Sequence, residues 1–485
     1  MFFQEIDGKK IYSNLLDGKW IVKDKDRLIE IKSPANGETV GFVEAMSKEA
    51  VDEAISIARE EQKKWREVPT NEKSKLLHNV ADLLEERVEE MAEIMMLEIA
   101  KDKKSAMSEI KRTADLIRFT ADTAENIKGE SIPGDSFPGF KNDKISIVTR
   151  EPLGVVLAIS PFNYPVNLAG SKIAPALMAG NTVVFKPATQ GSICGLYLAK
   201  AFNEAGIPSG VINTITGKGS EIGDYVVTHK EIDFVNFTGS SEVGRRISRI
   251  TEMKPLLMEL GGKDAAIVLE DADLDLAAKN IVAGAFSYSG QRCTAVKRVL
   301  VMDSIGDKLS EKILKEMEKV TVGNPLDGDF TVGPLISSKA CDFVEGLIED
   351  AKEKGAKLLL GGNREGNTIM PTLFDNVTVD MRIAWEEPFG PVLPIIRVSA
   401  IDDAIKIANE SEYGLQSSVF TKDINKAFYV ANRLEVGTVQ VNNKTERGPD
   451  HFPFLGVKSS GMGTQGVAYS IEAMSRPKAT VINLK

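Results

Sequence analysis

The chain is poor in the residues that mark several protein classes. Its 485 residues include only three cysteines and three histidines. Cys194, Cys293 and Cys341 are far apart and odd in number, which excludes a disulfide framework and fits a reducing compartment. His78, His229 and His451 are equally scattered, so no metal pattern is present and no metal site is expected. Nowhere is there a run of about 18 uninterrupted apolar residues, the length a membrane helix needs, and the opening MFFQEIDGKKIYS lacks the apolar stretch of a secretion signal. Basic blocks are missing too. With 60 Lys and Arg against 70 Asp and Glu, the net charge of −10 argues against nucleic acid as a partner. The expectation is a cytoplasmic protein without membrane or nucleic-acid contacts. Its length implies two or three domains.

Scarce cysteine makes the setting of each one informative. A cysteine is by default a small core residue, but Cys293 stands in SYSGQRCT, Ser287 to Thr294, a polar, small-residue segment. Gly290 allows close backbone approach to a ligand, and Arg292 brings a positive charge that favours thiolate. This reads as a nucleophile. Without a clustered histidine, a carboxylate is the better base. Glu259 in LLMELGGKD ends an apolar run, where partial desolvation would raise its pKa toward the range of a general base; it could equally be a carboxylate paired with a neighbour. The GGK there is no P-loop. EDADLDL imitates an EF-hand opening, but Leu276 stands where glycine is required, so it reads as a helix start.

Periodicity organises the rest. Short strands and turns fill residues 10 to 45, and helices are expected from Ala50 to Trp65, from Asn71 through Met95, and from Ser105 to Ile127. From Gly154 the pattern alternates strand and helix as VVLAIS, TVVFK, VINTIT and DFVNF with helices between, which predicts a parallel sheet with ligands beyond its carboxyl ends. Those ends carry Asn163 and Tyr164, then Lys186 and Thr189, then Thr238 to Gly244 in FTGSSEVG. Gly239 and Gly244 make either a phosphate-binding turn or a plain tight turn. Lys186 is a cofactor contact or a solvated lysine, and Arg112 and Arg447 alone read as surface charges. The isolated strands Lys144 to Arg150 and Ala479 to Leu484 are expected to form an arm reaching another subunit.

In combination, FSYSGQRCT, MELGGKD, PFNYP, FKPAT, FTGSSEVG and EEPFGPV resemble the signatures of the aldehyde dehydrogenase superfamily, in that family's order and over essentially the whole chain. QRCTAVKR, NNKTERGPDHFPFLG and GVAYSIEAM are similar to its non-phosphorylating, NADP-dependent glyceraldehyde-3-phosphate dehydrogenases. The resemblance implies an α/β fold with a Rossmann-type cofactor domain (1–126 and 150–260), a catalytic domain (261–460) and a β oligomerisation arm (127–149 and 461–485). It also implies a homotetramer. It makes Cys293 the nucleophile, Glu259 the general base and Asn163 the oxyanion donor. It places Lys186, Thr189, Gly219, Thr238, Gly239, Ser240, Gly244, Leu260, Glu387 and Phe389 around NADP, and Arg112, Tyr164, Arg292, Thr294 and Arg447 around a small phosphorylated aldehyde. A glutamate at Thr189 would repel a 2′-phosphate, so threonine there favours NADP. Phe162 stands where many members have Trp, and Pro449 and His451 alter the loop beside Arg447. The competing readings are a dehydrogenase for another small anionic aldehyde, an acylating enzyme that uses coenzyme A, and a non-catalytic protein that keeps the fold.

Overall fold

The computed structural model describes residues 1–124 and 126–484. An N-terminal sheet built from Phe3–Ile6, Lys9–Tyr12, Leu28–Lys32 and Thr39–Glu44 precedes four helices, α1 (Lys48–Trp65), α2 (Thr70–Glu86), α3 (Val88–Ile99) and α4 (Lys103–Ala124). The single long helix expected after Asn71 is two, because Arg87 leaves the helical region at φ −110° and starts α3 anew. One apolar stripe nevertheless runs through both: Leu77, Val80, Leu84, Met91 and Met95 share a core with Ile110 and Ile117 of α4.

The first large sheet is parallel and lies in the order Ile212–Thr214, Thr182–Lys186, Val155–Ile159, Phe234–Thr238, Leu256–Glu259, with Gly461–Met462 added antiparallel. Its crossovers are α5 (Asn167–Met178), α6 (Ser192–Glu204), α7 (Asp224–Thr228) and α8 (Ser241–Ile250). Strand order reverses between Val155–Ile159 and Phe234–Thr238, and a ligand crevice is expected beyond the carboxyl ends at that point. The strands are buried on both faces and read as unbroken apolar runs for that reason.

A second, seven-stranded sheet centres on Ala265–Val268, Arg298–Met302 and Val392–Val398. Its first helix, α9 (Leu274–Phe286), starts as expected at EDADLDL: Asp273 Oδ1 accepts from the N–H groups of Asp275 and Leu276, both at 3.1 Å.

Lys144–Pro152 and Ser475–Asn483 do find a strand partner, and it is each other, in antiparallel register from Pro152↔Ser475 to Lys144↔Asn483. Glu130–Pro133 adds a third strand. The start of this arm at 461 needs correction. Gly461–Met462 extends the first sheet, and Val467, Ile471 and Met474 lie in the first domain's core, so only the chain from Ser475 onward belongs to the arm sheet. No helix among the described residues is long and apolar enough to cross a membrane.

Candidate active site

The nucleophile segment is a pinned, left-handed turn. Tyr288, Ser289 and Gly290 take φ of 50°, 55° and 69°. For the two non-glycine residues this is costly, and it persists because side chains hold it. Tyr288 Oη donates to the Ile99 carbonyl at 3.0 Å, Ser289 Oγ to the Gly333 carbonyl at 2.9 Å, and Gln291 Oε1 accepts from Ile336 N at 2.9 Å. The close approach at Gly290 is to protein rather than ligand: a Cβ there would sit 2.4 Å from the Gly390 carbonyl oxygen. The turn delivers Cys293 half-buried, whereas Cys194 and Cys341 are buried.

Burial pushes the Cys293 thiol up to about 11, and the chief opposing charge is Lys297. That role was expected of Arg292, which instead donates to the Gly284 carbonyl. Lys297, itself buried, donates to the Cys293 carbonyl and forms an ion pair with Glu387 Oε1 at 3.1 Å. No local signal marks it, because its partner lies 90 residues away.

Asn163 follows the strand Val155–Ile159, and its Nδ2 donates to the Gln291 carbonyl at 2.9 Å. That leaves a second amide hydrogen for an oxyanion. Lys101, fully buried and paired with Glu109, donates to the Asn163 carbonyl at 2.8 Å and stands 3.7 Å above the Tyr164 ring. Glu109 also accepts from the N–H groups of Val166 and Asn167, each at 3.0 Å. This pair, which sequence patterning did not single out, locks the Asn163 loop onto α4.

Glu259 ends the strand Leu256–Glu259. Both of its carboxylate oxygens are buried with no hydrogen-bond partner among the described residues, so the paired-glutamate alternative does not hold. Burial pushes its carboxyl up to about 8, against the pull of Arg447 and Lys172. Lys172, missed from the sequence because it lies inside α5, is buried and donates to Thr238 Oγ1 at 2.6 Å.

A cleft of about 870 Å³ runs from the strand-order reversal to Cys293. Asn163, Lys186, Thr189, Gly219, Thr238, Gly239, Ser240, Leu260, Glu387 and Phe389 all line it. Its features suit a dinucleotide. Ser240 caps α8 by accepting from Val243 N, so a helix N-terminus faces the cleft. A Cβ on Gly239 would meet the Phe237 ring at 2.5 Å. Lys186 is buried, its amine pushed down to about 8, and among the described residues the amine's one hydrogen bond is a 3.4 Å contact to the Pro187 carbonyl, so an anion there would meet an underused cation. Gly244 does not line the cleft. It makes room for Leu260, whose side chain a Cβ would meet at 2.5 Å. The cleft also takes in Asp224 and Arg246, an ion pair invisible in sequence because the two lie on different helices.

Arg112 and Tyr164 line a second cavity of about 680 Å³ with Asp102, Glu109 and Tyr288. Arg447 stacks on Phe454 at 4.9 Å and is near enough to Glu259 to lower its pKa. Arg112 Nη2 reaches the Arg447 carbonyl at 2.9 Å, so these two come together. Arg292 is buried with its Nε unpartnered among the described residues. The Thr294 carbonyl accepts from Thr445 Oγ1 at 3.0 Å, which ties the nucleophile segment to the Arg447 loop.

The aldehyde dehydrogenase family model matches residues 20–480. The chain is 58% identical over 475 residues, 98% of this chain and 99% of the relative, to the NADP-dependent glyceraldehyde-3-phosphate dehydrogenase of Streptococcus equinus. It is 50% identical to the Pisum sativum protein of the same name, covering 99% and 96% of the two chains. Among solved structures, the NADP-dependent glyceraldehyde-3-phosphate dehydrogenase of Bacillus halodurans C-125 complexed with NADP matches with TM-score 0.96 at 55% identity, over 98% of this chain and 99% of that one. Likeness of this extent, over a fold that gathers a half-buried thiol, an amide donor and an unpartnered carboxyl, establishes that the chain belongs to the aldehyde dehydrogenase family.

Proposed function

We propose that this protein oxidises D-glyceraldehyde 3-phosphate to 3-phosphoglycerate with NADP, through a thioester on Cys293 that water hydrolyses. The observation that carries this reading is that Arg112 meets Arg447, which in turn acts on Glu259, whose carboxyl is free of partners among the described residues. Arginine forks suit a phosphate, and a free, desolvated carboxyl suits activation of water. The relatives named for this activity support it.

In the reaction the Cys293 thiol gives its proton to solvent, Sγ bonds to the aldehyde carbon, and the carbonyl π pair moves onto oxygen, where the Asn163 amide stabilises the charge. NADP, held along the cleft by the residues named below, would supply the acceptor for the hydride that leaves this carbon. Glu259 then takes a proton from water, the water oxygen bonds to the acyl carbon, and the bond to Sγ breaks, releasing a free acid. Lys186 and the α8 N-terminus would hold cofactor phosphates, Glu387 a ribose, and Phe389, with the Phe162 ring 6.0 Å away, a wall of the nicotinamide end. Thr189 leaves room for a 2′-phosphate without charge repulsion. We place the enzyme in the cytoplasm as a homotetramer of three-unit subunits, joined through the sheet formed by 130–152 and 475–483.

The test is NADP reduction with glyceraldehyde 3-phosphate in buffer free of phosphate and arsenate, with the product identified by mass. Steady formation of 3-phosphoglycerate is expected. Turnover confined to an unphosphorylated or carboxylated aldehyde would overturn the substrate assignment.

A further inference from the structure

Asp450 is the one carboxylate shared by the two arginines. Arg112 grips it in a fork, Nε to Oδ2 and Nη2 to Oδ1 at 2.8 Å, and Arg447 Nε stands 3.5 Å from Oδ1. Its side chain is only 10% exposed, and Arg447 is buried nearly as far at 11%. An acid inside a site meant for an anion demands an account. Two guanidinium groups brought together repel each other and swing on long side chains, and a shared carboxylate both screens and orients them. The fork uses Arg112 Nε and one hydrogen of Nη2, the Arg447 carbonyl takes the other, and the two Nη1 hydrogens stay free for a ligand.

We propose that Asp450 is a positioning residue for substrate specificity: it holds Arg112 and Arg447 in the orientation that receives the phosphate of the aldehyde. This rests on the phosphate reading above. A carboxylate that merely competed with substrate would have the opposite kinetic signature.

The experiment is a double-mutant cycle on the full-length enzyme, reading the ratio of kcat/KM for glyceraldehyde 3-phosphate to that for glyceraldehyde. R112M is expected to lower the ratio about a hundredfold and D450N about tenfold, through KM for the phosphorylated substrate, as loss of charge-assisted bonds predicts. R112M/D450N is expected to lose less than the product of the two single losses, because part of what Asp450 does passes through Arg112 and the rest through Arg447. D450S, read the same way, replaces D450N should the amide disturb the loop. A ratio unchanged or raised in D450N while R112M loses it, or losses that multiply in the double variant, would overturn the proposal alone. An unchanged ratio in R112M and R447M would overturn the phosphate reading and this proposal with it.

Discussion

Asn163 Nδ2 lies 2.9 Å from the carbonyl oxygen of Gln291, two residues before the nucleophile. The amide proposed to receive the oxyanion is thus fastened to the turn that carries Cys293. N163A should lower kcat and kcat/KM together by ~10²–10³, the loss seen for a single oxyanion donor. Steady-state kinetics showing a raised KM at unchanged kcat would contradict a donor that acts only in the transition state.

In the proposed mechanism Glu259 serves only the second half of the reaction. E259Q should keep the first and lose the second, giving a burst of NADPH near one per active site followed by turnover lowered by ~10²–10⁴. Stopped-flow absorbance at 340 nm checks it; a lost burst would place Glu259 before the thioester. The same carboxyl gives a stability signature. Its pKa is raised on folding to about 8, so the folded state binds its proton more tightly than the unfolded state does. That contribution is fully present below the ordinary carboxylate range and is lost as pH rises toward 8, by up to about 1.4 kcal/mol per pH unit. The melting temperature of E259Q should therefore rise relative to wild type between pH 5 and pH 8.

Lys297 joins Cys293 to Glu387, so its removal should touch both thiol and cofactor. K297M is expected to raise the thiol pKa and thereby slow alkylation of Cys293 by iodoacetamide at pH 8. A thiol pKa higher by about one slows the reaction about tenfold, because the thiolate is the reacting form. KM for NADP should rise as well, because Glu387 Oε1 loses its ammonium partner and keeps only the Gly262 N–H at 3.1 Å. An alkylation pH profile identical to wild type would remove Lys297 from the site.

The Thr189 side chain makes a single weak hydrogen bond among the described residues, Oγ1 to the Gly217 carbonyl at 3.4 Å, and lines the cleft with Lys186. T189E should lower kcat/KM for NADP by ~10², a like-charge penalty reduced by screening. The ratio of NADP to NAD use measures it, and a ratio unmoved by the carboxylate would put the 2′-phosphate elsewhere.

How much of this was legible in the sequence follows from where each residue's partners lie. Cys293, Glu259 and the parallel sheet announce themselves because their signals are local: a polar turn, an apolar run ending in an acid, alternating strand and helix. The break at Arg87 is hidden because the apolar stripe continues across it. Lys101, Lys172 and Lys297 are hidden for another reason. A buried lysine looks in sequence like a surface one, and only the fold supplies Glu109, Thr238 and Glu387 as partners. Asp450 escaped notice beside Pro449 and His451, although its fork with Arg112 spans 338 residues.

The arm carries the last prediction. Nine paired positions join Ser475–Asn483 to Lys144–Pro152, yet Ile147, Val481 and Ile482 remain 42%, 57% and 41% exposed, and Ile132 on the third strand 43%. A three-stranded sheet with apolar side chains in solvent and an open edge is an association surface. Deleting everything beyond Arg476 removes most of the central pairing and exposes Lys144–Pro152 as well. Met474, the last residue packed in the first domain's core, precedes the cut, so that fold should survive it. Light scattering after size exclusion should then show a mass below that of the full-length assembly, with circular dichroism little changed. A truncated protein that keeps the full-length oligomer would mean that subunits meet elsewhere, and that this sheet is covered by some other contact or by none.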